Sequence, residues 1–146
     1  MSDTRTTSRP ADGRGHTDPV AEPGKPFRIL LVEDEPVIRE LVRSMLTDGA
    51  VTVDCASNGM EGLRLARTQD FHLILLDVVL PQMDGITVCR MLKSDPHTSQ
   101  VPLYMLTAKS KKSDIDTATR AGADGYIQKP FRSAELMDLV ARLRAP

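Results

Sequence analysis

Short apolar runs and helical stripes of apolar residues alternate along the chain from residue 27 to residue 143. The length of the apolar runs favours buried strands. They predict five strands, at residues 27–32, 51–56, 71–76, 101–106 and 124–128. The segments that follow these runs carry apolar residues three or four positions apart, which predicts a helix after every strand.

Local signals indicate where some of these helices begin and end. Pro36 suits the first turn of the first helix, and Gly49 is expected to end it. Asn58 followed by Glu61 is typical of a capped start for the second helix. We expect the fourth helix over about residues 110–121, with a thin apolar face.

Strict alternation of strands and helices predicts an α/β fold with a parallel sheet covered by helices on both faces. Right-handed crossovers leave few topologies for such a chain. Five strand–helix units favour a doubly wound, flavodoxin-like sheet with strand order 2-1-3-4-5. The third run is the most apolar, so we expect it to be a central strand.

Residues 1–26 differ from the rest of the chain in composition. They are rich in Pro, Gly, Ser and Thr, their acidic and basic residues balance, and large apolar residues are nearly absent. Such a segment buries too little apolar surface to offset the entropy of ordering it. We therefore expect a disordered N-terminal tail at 1–26 and one folded domain at 27–146.

Charge and composition exclude several classes of protein. The formal net charge is −1, so no basic surface for nucleic acid or an anionic membrane is expected. The apolar runs are too short to span a bilayer, and no stretch of signal-peptide type is present, which favours a cytoplasmic protein. The two cysteines, Cys55 and Cys89, make neither a disulfide framework nor a metal cluster, and we expect reduced core residues.

Chemically active side chains follow four of the five predicted strands. Glu33 and Asp34 follow the first, Asp77 the third, Thr107 the fourth and Lys129 the fifth. Ligands in doubly wound folds bind beyond the carboxyl ends of the strands, where the strand order reverses. We therefore expect these groups to meet in one shallow pocket.

The expected group of side chains suits phosphoryl transfer with a divalent cation. Clustered carboxylates repel one another, and a hard cation such as Mg²⁺ or Mn²⁺ relieves that repulsion. A carboxylate beside a metal, an ammonium and a hydroxyl can attack phosphorus. No Gly-rich phosphate loop follows the first strand, so a protein or small phosphodonor is expected rather than bound ATP.

Four segments of the chain resemble the response-regulator receiver domains of two-component signalling. They lie in order, each at the end of a predicted strand, and the resemblance runs from residue 27 to residue 143. The segments are Leu-Val-Glu-Asp-Glu at 31–35, Leu-Leu-Asp at 75–77 with Leu-Pro-Gln-Met-Asp-Gly at 80–85, Leu-Thr-Ala at 106–108, and Lys-Pro-Phe at 129–131.

The resemblance implies a phosphoacceptor and a set of metal ligands. Asp77 corresponds to the phosphoacceptor and is itself a metal ligand. Asp34 corresponds to the main acidic ligand, Glu33 acts mostly through water, and the backbone carbonyl of Val79 completes the set. Glu33 stands where aspartate is also common in the family, which loosens the expected metal geometry.

The same resemblance assigns the groups that bind phosphate and respond to it. Thr107 corresponds to the switch hydroxyl, with Ala108 beside it, and Tyr126 falls at the aromatic switch position. Lys129 corresponds to the phosphate-pairing base, and its bond to Pro130 is expected to be cis.

One departure from the family pattern concerns the last helix. Arg132 replaces the short polar residue that often caps this helix, so Ser133 could cap it one position later. The start of the helix is left open between these two positions.

The resemblance implies a phosphorylation-activated signalling switch rather than an enzyme. The only reactions expected of it are its own phosphorylation and its slow self-dephosphorylation. A sensor histidine kinase or phosphotransfer protein would be the donor. Output would pass through helix 4, strand 5 and helix 5 to a protein partner. Because the chain ends at Pro146, we expect a single-domain regulator, a monomer or weak homodimer.

Two alternatives stay open at this point. One is a receiver-like interaction domain that never turns over phosphate, against which the intact charged set argues. The other is a metal-dependent phosphatase, which would require a second acid two residues after the nucleophile, where Val79 stands.

Overall fold

The computed structural model describes residues 25–108 and 112–145. The strands are β1 (Phe27–Val32), β2 (Val51–Ala56), β3 (Leu73–Asp77), β4 (Leu103–Thr107) and β5 (Gly125–Gln128). The helices are α1 (Pro36–Leu46), α2 (Gly59–Thr68), α3 (Gly85–Ser94), α4 (Lys112–Arg120) and α5 (Ser133–Arg144). The tail predicted at residues 1–26 lies outside the described residues except for its last two positions.

The five strands form one parallel sheet in the order β2-β1-β3-β4-β5. This confirms the predicted fold class, its flavodoxin-like order and the central position of the most apolar strand. Every residue of β3 is buried. Because the order reverses between β1 and β3, the crevice beyond their carboxyl ends is open to a ligand.

Two apolar layers cover the sheet, one on each face. Helices α2, α3 and α4 pack on one face, through residues such as Leu63, Leu92 and Ala118. Helices α1 and α5 pack on the other, through residues such as Val42 and Leu136. None of the helices in the described parts of the chain is long and apolar enough to cross a bilayer.

Strands β3 and β4 each begin two residues later than their apolar runs predict. β3 begins at Leu73, because the preceding His72 pairs with β1 partly through its ring, whose Nδ1 accepts the Arg28 backbone N–H at 3.0 Å. β4 begins at Leu103, because Pro102 has no N–H to donate to a neighbouring strand. Both strands extend one residue further than predicted at their carboxyl ends.

One helix boundary also differs from its prediction, and the structure decides another. α1 ends at Leu46 rather than at Gly49, because Thr47 is already extended and residues 47–50 form a turn in which Asp48 Oδ1 accepts the Ala50 N–H at 2.6 Å. At α5, where the start was left open between two positions, the N-cap residue is Arg132 and Ser133 is the first helical residue.

The carboxylate of Glu135 supplies an interaction at the start of α5, by accepting the Arg132 backbone N–H at 3.0 Å. The predicted start of α2 is observed, with Asn58 Oδ1 accepting the Glu61 N–H at 2.9 Å. The predicted start of α4 near residue 110 falls outside the described residues.

The two cysteines are free thiols. Cys89 is fully buried between α3 and the end of α4, and its thiol donates to the Ala121 carbonyl at 3.7 Å. Burial raises the pKa of the Cys89 thiol to about 11, so it stays protonated and acts as a core residue.

Candidate functional site

The carboxyl ends of four strands bring acids and a lysine to one edge of the sheet. Asp77 is the last residue of β3 and Thr107 the last of β4. Glu33 and Asp34 directly follow β1, and Lys129 directly follows β5. The parallel register therefore places residues that are far apart in sequence around one crevice.

Asp77 is held on both carboxylate oxygens. Its Oδ1 accepts the backbone N–H of Val79 at 3.1 Å, and its Oδ2 accepts Lys129 Nζ at 3.1 Å. Its side chain is 8% exposed, enough to be reached from the crevice. Two defined hydrogen bonds orient the carboxylate, which favours its use as a nucleophile or ligand.

Lys129 bridges two carboxylates. Besides Asp77, its Nζ donates to Glu33 Oε1 at 2.7 Å, which joins the end of β5 to the end of β1. Its backbone N–H donates to the Thr107 carbonyl at 2.8 Å, which fixes the position of the lysine relative to β4. The peptide bond from Lys129 to Pro130 is cis.

Burial and neighbouring charges shift the pKa values of Glu33 and Lys129. Glu33 is fully buried, and that burial raises the pKa of its carboxyl, with the Asp77 charge adding to the effect and the Lys129 hydrogen bond opposing it. For Lys129, burial lowers the pKa, but hydrogen bonds and attraction to Glu33 and Asp77 outweigh it and the pKa is raised. The ammonium is therefore firmly charged at neutral pH.

Three carboxylates form a group that could hold a metal ion. One carboxylate oxygen each from Glu33, Asp34 and Asp77 lies within 4.8 Å of the others. Asp34 is exposed whereas Glu33 and Asp77 are buried, so the group opens to solvent on the Asp34 side. All-oxygen donors with one open side fit a hard cation such as Mg²⁺, which retains several waters.

The loop between β3 and α3 passes very close to the strand end. A Cβ at Gly85 would lie 2.0 Å from the Asp77 carbonyl oxygen, so a side chain at this position has no room. The Gly85 N–H donates to the Val78 carbonyl at 2.8 Å, and Gln82 adopts a positive φ of 71° in the turn. The Val79 side chain projects outward and is 59% exposed.

The residues assigned to the switch lie on the β4–β5 side of the crevice. Thr107 is buried and Ala108 is exposed. Tyr126 on β5 is paired in register with Met105 on β4, and 40% of its surface is exposed. Tyr126 is therefore partly open to solvent, on the strand next to the one that carries Thr107.

Sequence reasoning missed two contacts at the site. The Arg39 guanidinium on α1 donates to the Glu33 backbone carbonyl at 2.8 Å, although no motif contains this arginine. The Val79 backbone was expected to contribute through its carbonyl, but its N–H also donates to the Asp77 carboxylate. A single sequence carries no signal for either contact, because both depend on the path of the turns.

Comparison with known proteins places this arrangement in a family. The family model for the response regulator receiver domain matches residues 29–141. The DNA-binding response regulator MtrA of Mycolicibacterium smegmatis is 41% identical over 118 residues, which are 81% of this chain and 49% of MtrA. The chain thus spans about half the length of the curated relatives it matches.

Solved structures agree with the observed fold. The chemotaxis protein CheY4 of Vibrio cholerae superposes with a TM-score of 0.76 at 28% identity, over 81% of this chain and 98% of CheY4. The receiver domain of the sensor histidine kinase PA1611 from Pseudomonas aeruginosa, solved with a magnesium ion in its active-site cleft, gives 0.75 at 33% identity, over 82% of this chain and 98% of that domain. Together with the match over most of its length, these similarities show that the chain belongs to the response regulator receiver domain family.

Proposed function

We propose that this chain is a phosphorylation-activated switch that accepts a phosphoryl group on Asp77 in the presence of Mg²⁺. The observation that carries the proposal is the bridge made by Lys129 between the buried carboxylates of Asp77 and Glu33. A partly buried ammonium beside an oriented carboxylate favours the arrival of an anion, because it compensates the charge that the anion brings.

The reaction proposed is transfer from a phosphohistidine. An Asp77 oxygen attacks phosphorus, the P–O bond forms as the P–N bond breaks, and the leaving imidazole keeps the bonding electron pair. Lys129 can pair with the transferred group from its present position 3.1 Å from Asp77. The Val79 N–H holds the other Asp77 oxygen in a fixed direction.

Glu33, Asp34 and Asp77, with the Val79 carbonyl, would hold the cation. Mg²⁺ or Mn²⁺ would supply positive charge that neutralises the clustered carboxylates and the phosphoryl oxygens. The exposure of Asp34 leaves a route for the cation to enter from solvent. In PA1611 a magnesium ion is coordinated in the corresponding kind of cleft, which supports this choice.

The partners proposed are proteins in the cytoplasm. A sensor histidine kinase or phosphotransfer protein would donate the phosphoryl group, and a downstream protein would read the surface of α4, β5 and α5. That surface carries two exposed apolar side chains, Tyr126 and Met137. MtrA is a DNA-binding regulator, but with a net charge of −1 we propose no nucleic-acid binding by this chain.

Phosphorylation by acetyl phosphate with Mg²⁺, followed by intact-mass spectrometry, tests the proposal. We expect one added phosphoryl group on the wild type, none on Asp77→Asn, and none when EDTA replaces Mg²⁺. Asp70→Asn is the matched control, because Asp70 is exposed at the opposite end of β3, and it should be labelled as the wild type is. Unlabelled wild type would favour a phosphorylation-independent interaction domain, and equal labelling of Asp77→Asn would refute the assignment of the acceptor.

A further inference from the structure

One positively charged side chain beside the carboxylates of Glu33 and Asp34, that of Arg39, lies outside the four family motifs. Arg39 is in the second turn of α1, where its backbone N–H donates to the Glu35 carbonyl at 3.0 Å. Its side chain extends back along the helix, and Nη1 donates to the Glu33 carbonyl at 2.8 Å. The side chain therefore connects α1 directly to the turn that carries Glu33 and Asp34.

The Glu33 carbonyl is a group that requires a partner. Glu33 is the first residue beyond β1 and is fully buried, so an unpaired carbonyl here would be costly. The helix that follows begins with Pro36, which has no N–H to offer. The Arg39 guanidinium supplies a charge-assisted donor instead, and such bonds are stronger than neutral ones.

A neighbouring arginine on the same helix makes a different kind of contact. Arg43 lies one turn later on the same helix and pairs with the Glu40 carboxylate at 3.1 Å, on the surface. Within the described ranges of the chain, Arg39 makes no ion pair with a carboxylate and uses its guanidinium on a main-chain oxygen.

We propose that Arg39 is a positioning residue for the cation site. It holds the main chain at Glu33, while the Glu35 N–H donates to Glu33 Oε2 at 3.2 Å and holds the side chain of the same residue. These two bonds set the turn that directs the Glu33 and Asp34 carboxylates toward Asp77. The inference rests on the proposed function, since it concerns the cation used at that site.

The charge of Arg39 and its positioning role have opposite effects on cation affinity. A guanidinium near a divalent cation repels it, so removal of the charge alone would tighten Mg²⁺ binding. Removal of a bond that orients ligands weakens binding, by about 10-fold to 100-fold for outer groups around metal ligands. The direction of the change therefore separates the two effects.

The test measures Mg²⁺ affinity of the full chain by isothermal titration calorimetry, for the wild type, Arg39→Met, Arg39→Lys and the matched control Arg43→Met. We expect the Kd to rise roughly 10-fold in Arg39→Met and less in Arg39→Lys, which keeps the charge and a donor. Arg43→Met should bind as the wild type does. An unchanged or lower Kd in Arg39→Met would overturn the proposal.

A kinetic readout adds a signature that a merely structural role would not give. In acetyl phosphate labelling, Arg39→Met should require about 10-fold more Mg²⁺ for half-maximal rate but reach nearly the wild-type maximum. Should Arg39→Met fail to fold in a thermal melt, Arg39→Gln decides, because it is shorter and also lacks the charge: an unchanged or lower Kd there overturns the proposal, and a raised Kd supports it. Failure of the wild type itself to be labelled would refute the proposed function and is thus distinguishable.

Discussion

Lys129 donates to the Asp77 carboxylate across 3.1 Å, although the two residues are 52 positions apart in the chain. The same ammonium donates to Glu33 at 2.7 Å, and Glu33 is completely buried. The positive charge of Lys129 therefore compensates the negative charges of both carboxylates. Its loss would affect the folded state as well as any chemistry at the site, because an uncompensated buried charge is strongly destabilising.

We expect Lys129→Met to lower the free energy of unfolding by about 3 kcal/mol at pH 7 in EDTA, since it leaves the Glu33 and Asp77 carboxylates facing each other. Urea denaturation measures this quantity. Lys112→Met is the control, because Lys112 is exposed on α4 and its replacement should change stability by less than about 0.5 kcal/mol. An equally small effect in both variants would mean that the bridge is not a stabilising contact.

The deficit of Lys129→Met should also depend on pH. The pKa of Glu33 is raised above its ordinary value of 4.5 by burial and by Asp77, and the Lys129 bond opposes that rise. A carboxyl with a raised folded-state pKa stabilises the fold below its ordinary value and loses that contribution as pH rises through the folded pKa. Without Lys129 the pKa rises further, so the deficit should be smallest near pH 4.5 and grow toward pH 7. A deficit that is constant over this range would contradict the argument.

How far the sequence predicts this site follows from the geometry of parallel sheets. Asp77, Thr107 and Lys129 end or directly follow strands of the parallel sheet, and the carboxyl ends of parallel strands share one edge, so their proximity is predictable. The Arg39 contact is not, because it depends on a long side chain that turns back toward a main-chain carbonyl. The start of β3 was missed for a similar reason, since the His72 ring substitutes for part of the strand pairing.

Gly85→Ala should destabilise the domain. A Cβ at this position would lie 2.0 Å from the Asp77 carbonyl oxygen and 2.8 Å from Val78 Cα, and both are backbone atoms that cannot move aside cheaply. We expect a loss of about 3 kcal/mol in the free energy of unfolding, at the upper end for an overpacked site. Gly49→Ala is the matched control, because a Cβ there meets nothing within 4 Å. Similar thermal melts for the two variants would show that the loop can move away from β3.

Val79→Asn should shorten the lifetime of the phosphorylated form. The Val79 side chain is 59% exposed, two residues after Asp77, where a water would approach for in-line attack. A branched apolar side chain cannot orient that water, whereas an amide can donate to it and accept from it. Loss of label after removal of acetyl phosphate, followed by mass spectrometry, gives the rate. Val79→Ile is the control and should lose label no faster than the wild type, and an unchanged or slower loss in Val79→Asn would count against this role.

We expect the spread of a signal from Asp77 to depend on Thr107 and Tyr126. Thr107 is buried at the end of β4, whereas Tyr126 on the neighbouring strand is 40% exposed. Movement of the Thr107 hydroxyl toward a phosphoryl group would favour the inward ring, and a differential energy of about 1–3 kcal/mol would suffice to shift the populations. Amide NMR shifts on adding beryllofluoride and Mg²⁺ should therefore extend through β5 and α4.

Substitution of Thr107 separates the binding of beryllofluoride at Asp77 from the spread of the conformational change to β5 and α4. Thr107→Ala should still bind beryllofluoride, but its amide shifts should stay close to Asp77 and leave Tyr126 unchanged. Thr119→Ala is the matched control, because Thr119 is exposed on α4 and its hydroxyl donates within that helix to the Ile115 carbonyl at 2.9 Å. Its shifts should match those of the wild type. If the wild-type shifts are confined to residues beside Asp77, or if Thr107→Ala shifts β5 as the wild type does, the signal leaves the site by another route.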